Sequence, residues 1–135
     1  MYKIEVQFPT EIPKELGLSS EEVREVVDRS LKAFGLTSNL EIEILFSSKE
    51  KMKGLNKEHR GIDRETDVLS FPQSNIKNSH LNILGSIVIC IDVVKAKNEN
   101  IVDVIKHGLL HLLGHDHEVN EEEWNKAAQK INCHL

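Results

Sequence analysis

A run of apolar, largely β-branched residues from Gly85 to Ile91 constrains the fold of this chain more than any other segment. Such a run is typical of a β-strand that is buried on both faces. A strand of this kind needs elements that cover its sheet on each side, and the chain contains amphipathic helices that can do so. The sequence therefore predicts an α+β structure in which helices pack on a small sheet.

Three other segments have the character of strands that complete this sheet. Lys3 to Phe8 and Leu40 to Phe46 alternate apolar with polar residues, which predicts strands with one buried face. Asp67 to Phe71 is short and is ended by Pro72, which favours an edge strand. The polar segment from Gln73 to Leu81 is predicted to be a loop. A mixed sheet of about four strands is therefore expected.

Capping residues and apolar periodicity predict four helices. The first has Ser19 or Ser20 as its N-cap and stops at Gly35, and the second runs from Ser48 to about Asn56. The third is strongly apolar and ends at Gly114, and the last runs from Glu121 to Ile131 and is anchored by Trp124.

Length and composition indicate one globular domain over residues 1–135, since 39% of the residues are hydrophobic and 29% are charged. No secretory signal is recognisable, and no apolar run approaches the roughly 20 residues that a membrane span needs. We therefore expect a cytoplasmic protein with no membrane partner. Cys90 and Cys133 are far apart in sequence, which argues against a disulfide framework and a cysteine-rich zinc site.

The net charge of −5 argues against a surface that binds nucleic acid as a whole, and no DNA partner is expected. A local polyanion site is still conceivable on the predicted second helix. Lys49, Lys53 and Lys57 recur every four residues, which aligns them on one face, and Arg60 and Arg64 follow. The alternative is an ordinary solvated face, because acidic residues are interleaved with the lysines.

The segment from His107 to His117 carries the strongest chemical signal. Two histidines four residues apart on a helix, His107 and His111, can bind the same ion. A chain that leaves the helix at Gly114 can fold back to present His117 as a third ligand. This spacing predicts one zinc-like ion with an open coordination position for water or substrate.

Other interpretations of these histidines stay open at this point. His107 and His111 could be hydrogen-bonded core residues, although an imidazole without a partner is costly to bury in so apolar a helix. The ion could be structural if His115 or Asp116 completed its coordination. Imidazole also binds nickel, copper and iron, so the spacing does not select zinc over other divalent transition metals.

The metzincin proteases share this histidine spacing but differ at one position. In their motif a glutamate follows the first histidine and takes a proton from the zinc-bound water. Gly108 stands at that position here. Peptide hydrolysis by the metzincin mechanism is therefore not expected, whereas hydrolysis of another electrophile remains possible.

Two long segments of the chain resemble the YbeY endoribonuclease family of bacterial rRNA maturation factors. They are His107-Gly-Leu-Leu-His111-Leu-Leu-Gly114-His-Asp116-His117 and Leu55-Asn56-Lys-Glu-His-Arg60-Gly-Ile-Asp63-Arg-Glu-Thr66-Asp67-Val68-Leu69-Ser70-Phe71-Pro72. The resemblance covers most of the chain and implies a single α+β domain with a zincin-like metal-site helix. It also implies cleavage of single-stranded RNA in small-subunit rRNA 3′-end processing and ribosome quality control.

Carried over to this sequence, the resemblance implies that His107, His111 and His117 bind the metal and that Arg60 and His107 are catalytic residues. A guanidinium is always charged and pairs bidentately with phosphate, so Arg60 is suited to the scissile phosphodiester. The lysines of the second helix then become candidate contacts with the RNA backbone. The implied partners are rRNA and the small ribosomal subunit.

Several polar residues in and near these segments are expected to play supporting roles. Thr66, Asp67 and Ser70 are expected to cap turns or bond loop amides rather than to act in catalysis. Asp63 is expected to orient Arg60, and Asp116 to orient a ligand histidine. The chain departs from the family at Ser86, His59 and Glu65, where the family commonly has Asp, Tyr and Pro, and in a short segment between Asp92 and His107.

The resulting functional hypothesis is a metal-dependent endoribonuclease in which a metal-bound water or a ribose 2′-hydroxyl attacks the phosphodiester. One alternative is a metal-dependent hydrolase of a peptide or small molecule. A second alternative is a non-catalytic, ribosome-associated RNA-binding protein with a structural metal.

Overall fold

In a computed structural model of the protein, residues 4–36, 39–72 and 82–134 are described, and they contain one four-stranded mixed sheet. Its strands are β1 (Ile4–Gln7), β2 (Leu40–Ser47), β3 (Val68–Pro72) and β4 (Asn82–Cys90). The order across the sheet is β1-β2-β4-β3, with β1, β2 and β4 parallel and β3 antiparallel to β4. The predicted α+β class is confirmed, and β3 is an edge strand as predicted. Lys3 and the predicted loop from Gln73 to Leu81 lie outside the described residues.

The described residues form five α-helices around this sheet, in addition to a short 3-10 helix at Lys14–Leu16. They are α1 (Ser20–Ala33), α2 (Lys49–Arg60), α3 (Ile91–Ala96), α4 (Ile101–Leu112) and α5 (Glu121–Lys130). None of them is long and apolar enough to cross a membrane.

Local capping explains where α1 and α2 begin and end. The Ser19 hydroxyl accepts a hydrogen bond from the Glu22 N–H, and the Glu22 carboxylate accepts one from the Ser19 N–H, so a capping box starts α1. Helix α2 begins after the N-cap Ser48 and continues to Arg60, one turn beyond its predicted end. It stops where Gly61 adopts a left-handed conformation with φ of 70°.

Strand β4 is buried on both faces, as its sequence predicts. Ile87 and Ile89 pack into the main core beneath α1 and α4, and Val88 and Cys90 pack with Met52 of α2 on the other face. One boundary was predicted wrongly, since the strand ends at Cys90 and the apolar Ile91 begins α3. Apolar periodicity cannot separate the two, because a buried strand and a short buried helix present the same run of residues.

The position of α4 brings the predicted histidine helix onto the sheet. Its buried residues Val104, Ile105, Leu109 and Leu112 join the main core, whereas Leu110 packs with Trp124 and the apolar face of α5. The Ser70 hydroxyl of β3 donates a hydrogen bond of 2.9 Å to the Gly108 carbonyl oxygen. Helix α4 is therefore held on three sides, which leaves its remaining face to carry the histidines.

Candidate active site

The three predicted histidine ligands lie together at the open face of α4. His107 and His111 are one turn apart, and their Nε2 atoms are 3.1 Å apart. His117 follows in the loop after Gly114, and its ring centroid is 6.2 Å from that of His107 and 6.4 Å from that of His111. Gly114 has a φ of 90°, so the chain leaves the helix through a backbone conformation that favours glycine. The structure therefore brings together residues that the sequence only predicted to converge.

Trp124 of α5 forms the floor of this histidine cluster. Its ring centroid is 5.0 Å from that of His107, 5.2 Å from that of His111 and 5.4 Å from that of His117. The indole is 4% exposed, so it closes one side of the cluster to water. The sequence predicted Trp124 only as an anchor of the last helix, because no local pattern shows that this residue contacts rings from two other segments.

The three imidazoles are ligands that transition-metal ions accept. The nitrogens of His107 and His111 are also close to the spacing that such an ion requires. A tetrahedral ion with zinc–nitrogen bonds of about 2.0–2.1 Å holds two ligand nitrogens about 3.3 Å apart, close to the separation of the two Nε2 atoms. His117 lies farther out, since its ring centroid is more than 6 Å from those of His107 and His111, which are 4.8 Å apart. Accordingly, no group of three or more His, Cys, Asp or Glu side chains in the described part of the chain already has metal-binding geometry.

Burial keeps the two helix histidines in the neutral form that binds metal ions. Burial, together with the nearby charge of His111, lowers the pKa of His107 to about 4. Burial is also the main cause that lowers the pKa of His111, and the positive charges of His117 and Arg60 act in the same direction. Each ring therefore offers one unprotonated nitrogen as a ligand at neutral pH.

Arg60 is the last residue of α2. Its side chain is exposed, and its charge reaches His111 strongly enough to disfavour the protonated imidazole. The buried Asn56 side chain donates a hydrogen bond of 2.9 Å to the Arg64 carbonyl oxygen and so fixes the turn that follows α2. Asp63, predicted to orient Arg60, instead has its Oδ1 4.0 Å from Lys53 Nζ.

Packing explains why glycine occupies position 108. A Cβ atom at this position would lie 2.9 Å from Ile87 Cγ2, 3.1 Å from Ile87 Cδ1 and 3.3 Å from Val68 Cγ2. Helix α4 therefore approaches β3 and β4 too closely for a side chain on that face. A glutamate could not stand at this position without moving the helix away from the sheet.

The two other polar residues of the histidine segment have structural partners. His115 Nδ1 lies 3.0 Å from Glu123 Oε1, and its ring packs near Phe34, so it faces α5. Asp116 Oδ1 accepts a hydrogen bond of 2.9 Å from the Glu118 N–H, and its carbonyl oxygen accepts bonds from Val119 and Asn120. The carboxylate thus stabilises the loop that carries His117, and its negative charge favours protonation of His107 and His111.

A carboxyl pair joins the start of β3 to the residue before the N-cap of α4. The Asp67 carboxylate accepts hydrogen bonds from the Val68 N–H at 2.8 Å and the Thr66 hydroxyl at 3.2 Å, and it pairs with the Glu99 side chain. Burial raises the pKa of Glu99 to about 7, and the hydrogen bond to Asp67 and the negative charge of Asp67 act in the same direction. Burial works against ionisation of Asp67, but its hydrogen bonds and the charge of Lys97 outweigh this and lower its pKa. Glu99 therefore carries the proton of the pair, and no local sequence pattern marks it because its partner is distant in the chain.

The Asp67–Glu99 pair should make the stability of the protein depend on pH between about 4.5 and about 7. The folded protein keeps a proton on Glu99 up to a pH of about 7, whereas the unfolded chain releases it near the ordinary value of 4.5. The free energy of unfolding should therefore fall by about 1–2 kcal/mol as pH rises from about 4.5 to about 7 and level off above that, less than the full pKa shift would give because solvent screens part of the pair. Glu99→Gln donates to Asp67 at every pH and should remove this fall. Denaturant unfolding of both proteins across this range is the measurement, and an equal fall in both would contradict the assignment.

Comparison with known proteins assigns the chain to a family. Residues 9–133 match the family model described as endoribonuclease YbeY. A protein named endoribonuclease YbeY from a Sulfurihydrogenibium species is 34% identical over 128 residues, which cover 84% of each chain. Another protein of that name, from Sulfurimonas denitrificans, is 42% identical over 102 residues, which cover 70% of this chain and 71% of the relative. A solution structure from Thermotoga maritima superposes with a TM-score of 0.52 at 26% identity, covering 95% of this chain and 86% of that one. The chain therefore belongs to the endoribonuclease YbeY family.

Proposed function

We propose that this protein is a metal-dependent, single-strand-directed endoribonuclease whose reaction centre is the histidine cluster of His107, His111 and His117 together with Arg60. Its family makes it a hydrolytic endoribonuclease of rRNA maturation. We further propose that it acts at the 3′ end of small-subunit rRNA and in ribosome quality control, that it is cytoplasmic, and that residues 1–135 form one working domain. The convergence of three imidazoles beside an exposed guanidinium is the observation that carries it.

In this proposal the histidines hold one divalent transition-metal ion, with zinc as the first candidate. The two helix histidines are neutral at neutral pH and present Nε2 atoms at close to ligand spacing. His117 belongs to an exposed loop segment, so a small movement of that loop can bring its ring to the same spacing. When bound, the ion supplies positive charge at the reacting phosphate and lowers the pKa of a coordinated water.

Arg60 would bind the scissile phosphate next to the histidine cluster. Its guanidinium can donate two parallel hydrogen bonds to the phosphate oxygens and so fix the phosphodiester against the histidine cluster. As the reaction adds negative charge to those oxygens, the same bonds strengthen, which lowers the barrier. Trp124 excludes water beneath the cluster and thereby strengthens these electrostatic interactions.

The experiment that tests this function is a substrate panel with metal analysis of the same preparation. We expect about one metal ion per chain and cleavage of single-stranded RNA, with no cleavage of DNA, of fully paired RNA or of peptides. Removal of the metal with a chelator should stop the reaction, and zinc should restore it. Cleavage of a peptide but not of RNA would replace this function with that of another metal-dependent hydrolase.

A further inference from the structure

Helix α2 carries a row of positive charge that leads to the proposed reaction centre. At 100° per residue, Lys49, Lys53, Lys57 and Arg60 fall within an arc of about 80° on one flank of the helix. We call these four residues the basic flank. All four side chains are exposed, whereas Met52 and Asn56 of the same helix are buried against the body of the protein. The basic flank is therefore a surface feature beside the buried face, and its last member lies near His111.

The acidic residues of α2 do not cancel this row. Glu58 lies nearly opposite the basic flank, together with Lys51, and Glu50 adjoins one edge of the flank in the first turn. Lys53 Nζ is 4.0 Å from Asp63 Oδ1, but both side chains are more than half exposed, so this ion pair is weak and easily exchanged. The lysines are thus free to exchange their present contacts for stronger bonds to phosphate.

The spacing of the lysines suits a nucleic acid strand better than a compact anion. Residues four apart on a helix are separated by about 6 Å along its axis, so each lysine can meet a different phosphate of an extended strand. A chain with a net charge of −5 must also bind RNA through a local patch rather than through its whole surface.

We propose that the basic flank binds the backbone of the single-stranded RNA on one side of the cleaved bond, one phosphate per lysine, while Arg60 holds the scissile phosphate. This inference rests on the proposed function, because it takes the histidine cluster as the place where the strand is cut. It adds a direction to that function: the flanking strand runs along α2 from Arg60 towards Lys49. Because the contacts are with phosphates, the flank should bind all base sequences alike.

The salt dependence of binding tests the basic flank directly. Each phosphate contact with a single strand contributes about 0.7 to the slope of log Kd against log salt concentration, so K49Q/K53Q/K57Q should reduce this slope by about 2. The probe is a short 2′-O-methylated single-stranded RNA with a fluorescent label, titrated with the full-length protein at several salt concentrations. K14Q/K51Q/K126Q is the matched control, because either triple variant has a net charge of −8, three below the −5 of the chain.

The result expected is a reduced slope in the flank variant and an unchanged slope in the control. Equal losses in both variants would show a general effect of net charge, and an unchanged flank variant would show that the lysines contact no phosphate; either result overturns the proposal. Absence of RNA binding by the wild type would also overturn it. Because the readout is binding, a protein that binds through the flank but cuts no RNA would contradict the proposed function alone.

Cleavage of shortened RNA substrates tests the direction in which the strand runs along α2. With substrates shortened from either end, the kcat/KM of the flank variant should differ from that of the wild type only when nucleotides are present on one side of the cut. Equal sensitivity to shortening at both ends would contradict the single direction along α2.

Discussion

His111→Ala is expected to lose metal binding and RNA cleavage together. His111 contributes one of two Nε2 atoms that lie 3.1 Å apart, so its loss leaves His107 without its nearest imidazole partner. Loss of a group that only supports a metal ligand already costs about 10–100-fold in metal affinity, so loss of the ligand itself should cost at least about 100-fold. Metal content of the purified proteins and cleavage of one single-stranded RNA are the measurements.

His115→Ala provides the control for this prediction. His115 belongs to the same segment, but its Nδ1 faces Glu123 on α5 at 3.0 Å, so its loss should leave metal content unchanged. Circular dichroism of the variants separates loss of the site from loss of the fold. Full metal occupancy in a folded His111→Ala or His107→Ala variant would refute the three-histidine site. Stoichiometric metal in a wild type that cleaves no RNA would instead favour a non-catalytic RNA-binding protein with a structural metal.

Arg60→Ala is expected to reduce kcat by about 10²–10³-fold while leaving metal content unchanged. Removal of a single preorganised hydrogen-bond donor that stabilises developing negative charge typically has an effect of this size. Arg60 is exposed at the end of α2, so the variant should fold normally. The expected combination is a slow enzyme with full metal occupancy, and it distinguishes the role of Arg60 from that of the histidines.

Two further substitutions refine the test of Arg60. Arg60→Lys keeps the positive charge but cannot donate two parallel hydrogen bonds, so it should recover only part of the lost rate. Arg64→Ala removes an exposed arginine that lies four residues farther along, beyond the end of α2, and should have little effect on kcat. Equal rates for Arg60→Ala and the wild type would mean that the guanidinium contacts no reacting phosphate.

The sequence alone predicts those parts of the fold that depend on near neighbours in the chain. Ser19 caps α1 because its hydroxyl reaches the Glu22 N–H across one turn, and Gly35 ends that helix because its backbone adopts a left-handed conformation. The double-sided burial of β4 follows from its continuous apolar run. The boundary between β4 and α3 was missed because Ile91 continues the same apolar run across a change in secondary structure.

Some features of the candidate site can likewise be predicted from the sequence, whereas others depend on the tertiary structure. The spacing of His107 and His111 predicts their convergence, because residues four apart on a helix share a face. Only the tertiary structure decides that Trp124 closes the floor of the cluster, that Arg60 acts on His111 and that Glu99 shares a proton with Asp67. These contacts join residues that lie on different elements and are separated by many positions in sequence. Local propensity and periodicity carry no information about such pairs, because the packing of helices on the sheet determines which side chains meet.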